Sequence, residues 1–248
     1  RRIDPTDRRC YAFFHPAMAD EPLIFVQVAL TDGVPDAIDP ILSDGREILT
    51  EDKVNTAVFY SITNCQVGLR GINFGNFLIK QVVQDLRTEI EGLQNFVTLS
   101  PVPGFNDWLR GQAALEGDDA RADRDEILAI LEAGDGGKLS EYSTALTRLA
   151  AEYVCLAKRP DGRPADPVAR FHLGNGALIH DIHPMADTSR NGVRQSCSVM
   201  ANYLYDLARV EANHEAFVEE RRIARTRTIN GLLRAGLPER KQRKAANA

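Results

Sequence analysis

The stretch that decides the architecture is Thr56-Ala-Val-Phe-Tyr-Ser-Ile-Thr-Asn-Cys-Gln-Val-Gly-Leu-Arg-Gly-Ile-Asn-Phe-Gly-Asn-Phe-Leu-Ile-Lys80. Its opening residues alternate, with Ala57, Phe59 and Ser61 on one face and Val58, Tyr60 and Ile62 on the other. Apolar side chains on both faces predict a strand from 56 to 62 in the middle of a sheet. A glycine-rich turn follows. Leu78, Ile79, Val82, Leu86 and Ile90 then recur at helical spacing, with Lys80, Gln84, Arg87 and Glu91 directed away from them. That pattern predicts an amphipathic helix from about 76 to 91. Strand, turn and helix in this order imply a mixed α/β (α+β) chain whose sheet is flanked by helices.

Upstream, 10–14 and 23–30 are runs of aromatic and β-branched residues, which predict two strands joined by the turn-rich connector 15–22. Downstream, 95–99 reads as a short strand ended by Ser100-Pro-Val-Pro-Gly104. The segment 116–126 is dense in Asp and Arg and predicts a solvated surface stretch. Helices are expected at 127–133 and 140–157. The second has Ser140 as N-cap and Tyr142, Leu146, Leu149, Tyr153 and Leu156 as its buried stripe. One domain over 1–248 is expected, with a helical insertion at about 111–165 and a basic C-terminal helix at about 206–237.

Composition narrows the function classes. The chain has 248 residues, 44% hydrophobic and 26% charged, which is the make-up of an ordinary globular protein. No run of about 18 apolar residues occurs, so no membrane-spanning helix is expected. A net charge of -5 argues against nucleic acid as partner. From 221 to 244, however, nine Lys/Arg face the single acid Glu239, either as a solvated tail or as a basic patch for an anionic ligand or a subunit. Cys10, Cys65, Cys155 and Cys197 show no metal spacing, which suggests free thiols in a reducing compartment. Strand alternation would put His180 and His183 on opposite faces, so no metal site is expected there. The chain opens on Arg1-Arg2, as a piece of a longer product does. The expected location is cytoplasmic, or mitochondrial or peroxisomal in a eukaryote with an upstream signal.

Three segments carry possible chemistry. A glycine-rich turn between strand and helix, here Arg70-Gly-Ile-Asn-Phe-Gly75, presents free backbone N–H groups to a phosphate, although it can also be a plain connection. Ser100, fixed between a strand end and two prolines, stands where ligands gather in open sheets, yet a serine before proline also closes turns. His172 lies in Arg170-Phe-His-Leu-Gly-Asn-Gly-Ala177, followed by Met185-Ala-Asp-Thr-Ser189 and Ser196-Cys-Ser-Val-Met-Ala-Asn-Tyr-Leu-Tyr205. A histidine between Phe171 and Leu173 is as consistent with a core residue as with a proton carrier. The residues alone leave both readings open. His15 and His214 read as structural or solvent-exposed.

Two resemblances sharpen this. The turn at 70–75 resembles the Arg/Gln-x-x-Gly-x-Gly/Ala signature with which the GNAT acetyltransferase fold holds the pyrophosphate of coenzyme A. Asn73 stands where the first glycine is expected. Further, Arg8-Arg-Cys-Tyr-Ala-Phe-Phe-His-Pro16, Phe74-Gly-Asn-Phe-Leu-Ile-Lys80, Leu99-Ser-Pro-Val-Pro-Gly-Phe105, Phe171-His-Leu-Gly-Asn-Gly-Ala177 and Met200-Ala-Asn-Tyr203 resemble the malonyl-CoA decarboxylases, in that family's order and over essentially the whole chain. The resemblance implies a GNAT-like catalytic domain without the helical domain that family members carry ahead of it. It implies Ser100 and His172 at the reacting centre. Asn73, Tyr205, Pro101 and Asn175 would contact substrate, and Arg70, Gly71, Ile72, Phe74 and Gly75 would hold the CoA phosphates. Some relatives have a carboxylate where Asn73 stands.

The implied reaction takes malonyl-CoA to acetyl-CoA and CO2 with no metal or organic cofactor, coenzyme A being part of the substrate. His172, at its ordinary pKa of about 6.5, would protonate the carbanion near neutrality, and Ser100 would orient the malonyl group. A homo-oligomer, dimer or tetramer, is the family's habit. The competing readings are a CoA-dependent acyltransferase, a serine thioesterase and a non-catalytic CoA-binding module.

Overall fold

The computed structural model describes residues 5–66, 68, 75–111 and 118–235. Its seven-stranded mixed sheet is built from β1 (Arg8–His15), β2 (Met18–Thr31), β3 (Thr56–Asn64), β4 (Asn95–Thr98), β5 (Ser100–Pro101), β6 (Leu178–His183) and β7 (Met200–Leu204). β1, β2 and β3 are antiparallel neighbours. β3 and β4 form a parallel pair, reached by way of helix α2 (Gly75–Glu89), as a parallel connection requires. β4 and β5 both pair with one edge of β7, and β6 pairs with its other edge. A mixed sheet flanked by helices is the fold class expected from the sequence.

The alternation in β3 has the predicted consequence up to Tyr60; past the register slip between Phe59 and Ser61, Ile62 packs against the larger core instead of sharing a face with Val58. Ala57 and Phe59 join the larger apolar core and Val58 a smaller one on the opposite face. The larger core also takes Leu78, Ile79, Val82, Leu86 and Ile90, the predicted stripe of α2. In the smaller core Val58 packs with Ile38 and Ile41 around α1 (Asp39–Leu42).

Between β5 and β6 lie α3 (Phe105–Gly111), α4 (Asp118–Ala133), α5 (Ser143–Leu156) and α6 (Pro167–Gly174). The helical block departs from the sequence reading in three places. The helix expected from 127 already begins at Asp118, so the stretch read as solvated surface is helical from there, while most of its described residues are exposed as expected. Charge-rich residues disfavour burial, not helix, and acids in a first turn suit the helix dipole. Ser140 does not cap α5. It sits inside a 3-10 helix, Gly136–Tyr142, and its hydroxyl donates to the Gly137 carbonyl at 3.0 Å. Leu156, placed in the buried stripe, is 54% exposed because α5 ends there, while Leu146 and Leu149 are fully buried.

α7 (Arg190–Ser196) separates β6 from β7. The expected basic C-terminal helix is instead two helices, α8 (Val210–Glu220) and α9 (Arg227–Ala235), broken where Arg221 takes a left-handed conformation, φ 58°. The connector between β1 and β2 is shorter than 15–22, since β2 already begins at Met18. The alternation argument for His180 and His183 also fails. The register slips by one residue between Ile179 and Asp181, so that Ile179 and Ile182, three apart, both enter the larger core. Among the described residues no group of three His, Cys, Asp or Glu side chains could hold a metal ion, and no helix is long and apolar enough to cross a membrane.

Candidate active site

Beyond the pairing of Phe59 with Thr98 the parallel strands part. β3 runs on to Asn64 beside β2, whereas Leu99 turns the other strand into β5, which follows β7. The gap opens into a cavity of about 430 Å³, lined on one side by Phe59–Asn64 residues and on the other by Ser100, Pro101, Phe171 and His172. The chain that closes Ser100 into this wall is short and stiff: two prolines follow it, and Gly104, φ +85°, makes the turn into α3.

His172 enters from α6. Asp166 caps that helix by accepting from Ala169 N at 2.7 Å, and Pro167 occupies its first turn. At its other end Gly176, φ +83°, lies so close to the Val210 carbonyl that a Cβ would fall 2.0 Å from the oxygen. Only glycine fits there, which accounts for the second glycine of the Gly-Asn-Gly motif.

The side chains form a relay. Ser100 Oγ donates to Thr98 Oγ1 at 3.0 Å and lies 3.3 Å from His172 Nε2. His172 Nδ1 lies 2.8 Å from Tyr205 Oη. With the serine proton on Thr98, one arrangement satisfies every member: the Tyr205 hydroxyl donates to Nδ1, and Nε2–H donates to Ser100. The imidazole is stacked on Tyr203, ring centroids 4.8 Å apart, with Phe171 edge-on at 5.0 Å. Burial with no compensating charge pushes the His172 pKa down to about 3. The expectation that His172 keeps its ordinary pKa is therefore corrected: the imidazole is neutral at physiological pH. Tyr205 is driven well above its ordinary value, again by burial.

Thus Ser100, His172 and Tyr205 come together, and Pro101 lines the same cavity. Asn175 is placed beside them at the C-terminal end of α6. It is 1% exposed, and neither of its amide atoms completes a hydrogen bond of normal geometry, although it stands near enough to Tyr205 to oppose the effect of burial there. Arg70, Gly71, Ile72, Asn73 and Phe74 lie outside the described residues. Gly75 begins α2, and Asn64, at the β3 end from which the turn departs, lines the cavity.

Sequence reasoning missed Thr98 and Tyr203. Thr98 Oγ1 takes both the Ser100 hydroxyl and, at 3.2 Å, the Tyr203 N–H, and so fixes β7 against the serine. Both could have been found, because each lies two residues from a candidate that was named. The two histidines set aside as a metal pair have structural surroundings: His183 hydrogen-bonds Asn202, and His180 Nδ1 is buried without a partner.

Asp166 gives a pH signature. Burial, only partly offset by the Ala169 and Val168 N–H groups, raises its pKa from 3.8 to about 7. The folded state thus holds a proton that the unfolded chain releases. The contribution of this group to stability is full below about pH 4, falls as pH rises towards 7 and is then level, the reverse of an ion-paired aspartate. Asp166→Asn, which keeps a capping oxygen, should flatten thermal-unfolding midpoints over that range. An unchanged slope would count against a protonated Asp166.

Comparison with known proteins gives one consistent set. The family model for the malonyl-CoA decarboxylase C-terminal domain matches residues 1–244. A curated mitochondrial malonyl-CoA decarboxylase from Anser anser anser is 36% identical over 250 residues, 90% of this chain and 49% of that protein. The Rattus norvegicus enzyme of the same name is 34% identical over 258 residues, 94% of this chain and 52% of its own. The crystal structure of malonyl-CoA decarboxylase from Rhodopseudomonas palustris superposes with a TM-score of 0.83 at 48% identity, over 92% of this chain and 53% of that one. The chain therefore spans about half the length of the curated relatives it matches.

Proposed function

The chain belongs to the malonyl-CoA decarboxylase family, as its C-terminal domain, and from that premise we propose that it converts malonyl-CoA to acetyl-CoA and CO2 in the cavity between β3 and β5. The observation that carries this reading is the Ser100–His172–Tyr205 relay, whose Nε2 end opens onto a cavity that can admit an acyl chain. Residues 70–75 would hold the CoA phosphates at the start of α2.

Breaking the bond to CO2 leaves its electron pair on the α-carbon, where the thioester carbonyl takes it up as an enolate. The substrate is its own electron sink, so the proposed chemistry calls on no cofactor. Main-chain groups on the β4-facing edge of β3, which has no strand partner on that side beyond Phe59, would donate to the enolate oxygen. Ser100 would orient the carboxylate or the carbonyl.

A neutral imidazole is a poor acid, so the proton has to be acquired. The malonyl carboxylate brings a negative charge beside a buried histidine, which raises the proton affinity of that histidine. His172 then takes up a proton as substrate binds, gives it from Nε2 to the α-carbon as CO2 leaves, and returns to neutrality. One proton is consumed per CO2 released, which balances an anionic substrate against two neutral products at that end of the molecule.

The deciding experiment incubates the chain, and in parallel a full-length form, with malonyl-CoA and follows the thioester by mass spectrometry. Acetyl-CoA with the thioester intact is expected. Release of free CoA would instead indicate a thioesterase. Binding without turnover by both forms would indicate a CoA-binding module.

A further inference from the structure

The segments 185–189 and 196–199 play no part in the chemistry proposed above, yet with α3, α7 and the stretch from Leu131 to Gly137 they border a second cavity of about 730 Å³ that shares no lining residue with the first. Three arginines line it, Arg110, Arg190 and Arg194, and no acidic residue is among its described lining residues. In a chain of net charge -5 this is a local inversion of sign. Arg110 is paired with Glu132 at 3.0 Å, and Arg194 reaches only the neutral Asn191 side chain at 2.8 Å. Arg190 makes no ion pair or hydrogen bond with the described residues.

Two buried polar groups point to a missing ligand. Ser198 is fully buried and its Oγ has no partner. Asn106 is 8% exposed; its Nδ2 donates to the Arg194 carbonyl at 2.9 Å, while its Oδ1 has none. Buried polar atoms are nearly always satisfied, and leaving one bare is unfavourable. The backbone here is held in an uncommon form as well: Met185 and Ser198, both lining the cavity, have φ of 56° and 63°. Strain of this kind persists where the surroundings hold it, and it gathers at binding sites.

We propose that this second cavity binds a small hydroxylated oxyanion, a phosphate ester or a hydroxycarboxylate. Arg190 and Arg194 would supply the planar donors suited to either group, and the Ser198 hydroxyl would donate a further hydrogen bond. Asn106 Oδ1 would accept from the ligand's own hydroxyl, a demand that a simple halide cannot meet.

The test is isothermal titration calorimetry of the full chain at low ionic strength with inorganic phosphate and, separately, with citrate; sodium chloride serves as control. Saturable one-site binding of at least one anion, tighter than about 1 mM, is expected. The tighter anion identifies the ligand as phosphate ester or hydroxycarboxylate. The double variant Arg190→Ala/Arg194→Ala, whose side chains are exposed, should weaken binding about tenfold or more. Ser198→Ala should weaken it as well, whereas His172→Ala should leave it intact. Absence of saturable heat with both anions would overturn the proposal. So would binding that survives the arginine double variant, or binding lost in His172→Ala, which would place the anion in the first cavity. None of these outcomes depends on whether decarboxylation occurs.

Discussion

Replacing His172 with alanine is expected to lower kcat on malonyl-CoA by about 10²–10⁴-fold while KM changes little. The asymmetry follows from the geometry. His172 is 4% exposed and meets the cavity through one ring nitrogen, 3.3 Å from Ser100, whereas binding energy for so large a substrate must come mainly from the CoA moiety. Removing the imidazole leaves the enolate without a proton donor and frees Tyr205 from its 2.8 Å partner. His172→Asn can still donate a hydrogen bond but cannot carry a proton through the ring, so it should be nearly as slow. Steady-state kinetics on both variants, with thermal unfolding as the folding control, checks this. A kcat within a few-fold of wild type in either folded variant would remove His172 from the chemistry.

The framework of the fold was legible in one stretch. Apolar residues on both faces of 56–62, then helical spacing from Leu78, required a buried strand followed by a helix packed on the sheet, and the two cores found on either side of β3 follow from that alternation. What could not be read were features that depend on tertiary neighbours. Asp118–Ala133 is helical although its first half is nearly all charge, because its later residues Ile127 and Leu131 pull the whole element onto the core. The slip at His180 is set by pairing with β7 and leaves no mark in composition.

The candidate site divides in the same way. The pairing of Ser100 with His172, 72 residues apart in sequence, came from resemblance, since no local pattern links a strand end to a distant helix. Thr98 and Tyr203, by contrast, were within reach of period-two reasoning from Ser100 and Tyr205. The depressed pKa of His172 was out of reach, because Phe171 is its only sequence neighbour in the aromatic cage; Tyr203 and Tyr205 arrive from β7 and the residues just after it.

Ser100→Ala should cost about 10²-fold in kcat, and that magnitude discriminates between two roles. A serine that only holds the malonyl group contributes one charge-assisted hydrogen bond, worth about 1.5–3 kcal/mol, or roughly 10–10² in rate. A serine nucleophile would be indispensable, and its loss would approach the 10⁶-fold scale seen when such groups are removed. The geometry favours the smaller effect. Ser100 Oγ gives its proton to Thr98 at 3.0 Å, and the arrangement that satisfies Tyr205 makes Nε2 a donor towards Ser100 and not the acceptor a nucleophile needs. Intact-mass analysis of the wild-type protein during turnover should therefore show no acyl adduct, and the alanine variant should still form acetyl-CoA above background. A trapped adduct at Ser100, or activity indistinguishable from buffer in a folded Ser100→Ala protein, would reverse the assignment and make the serine a covalent participant.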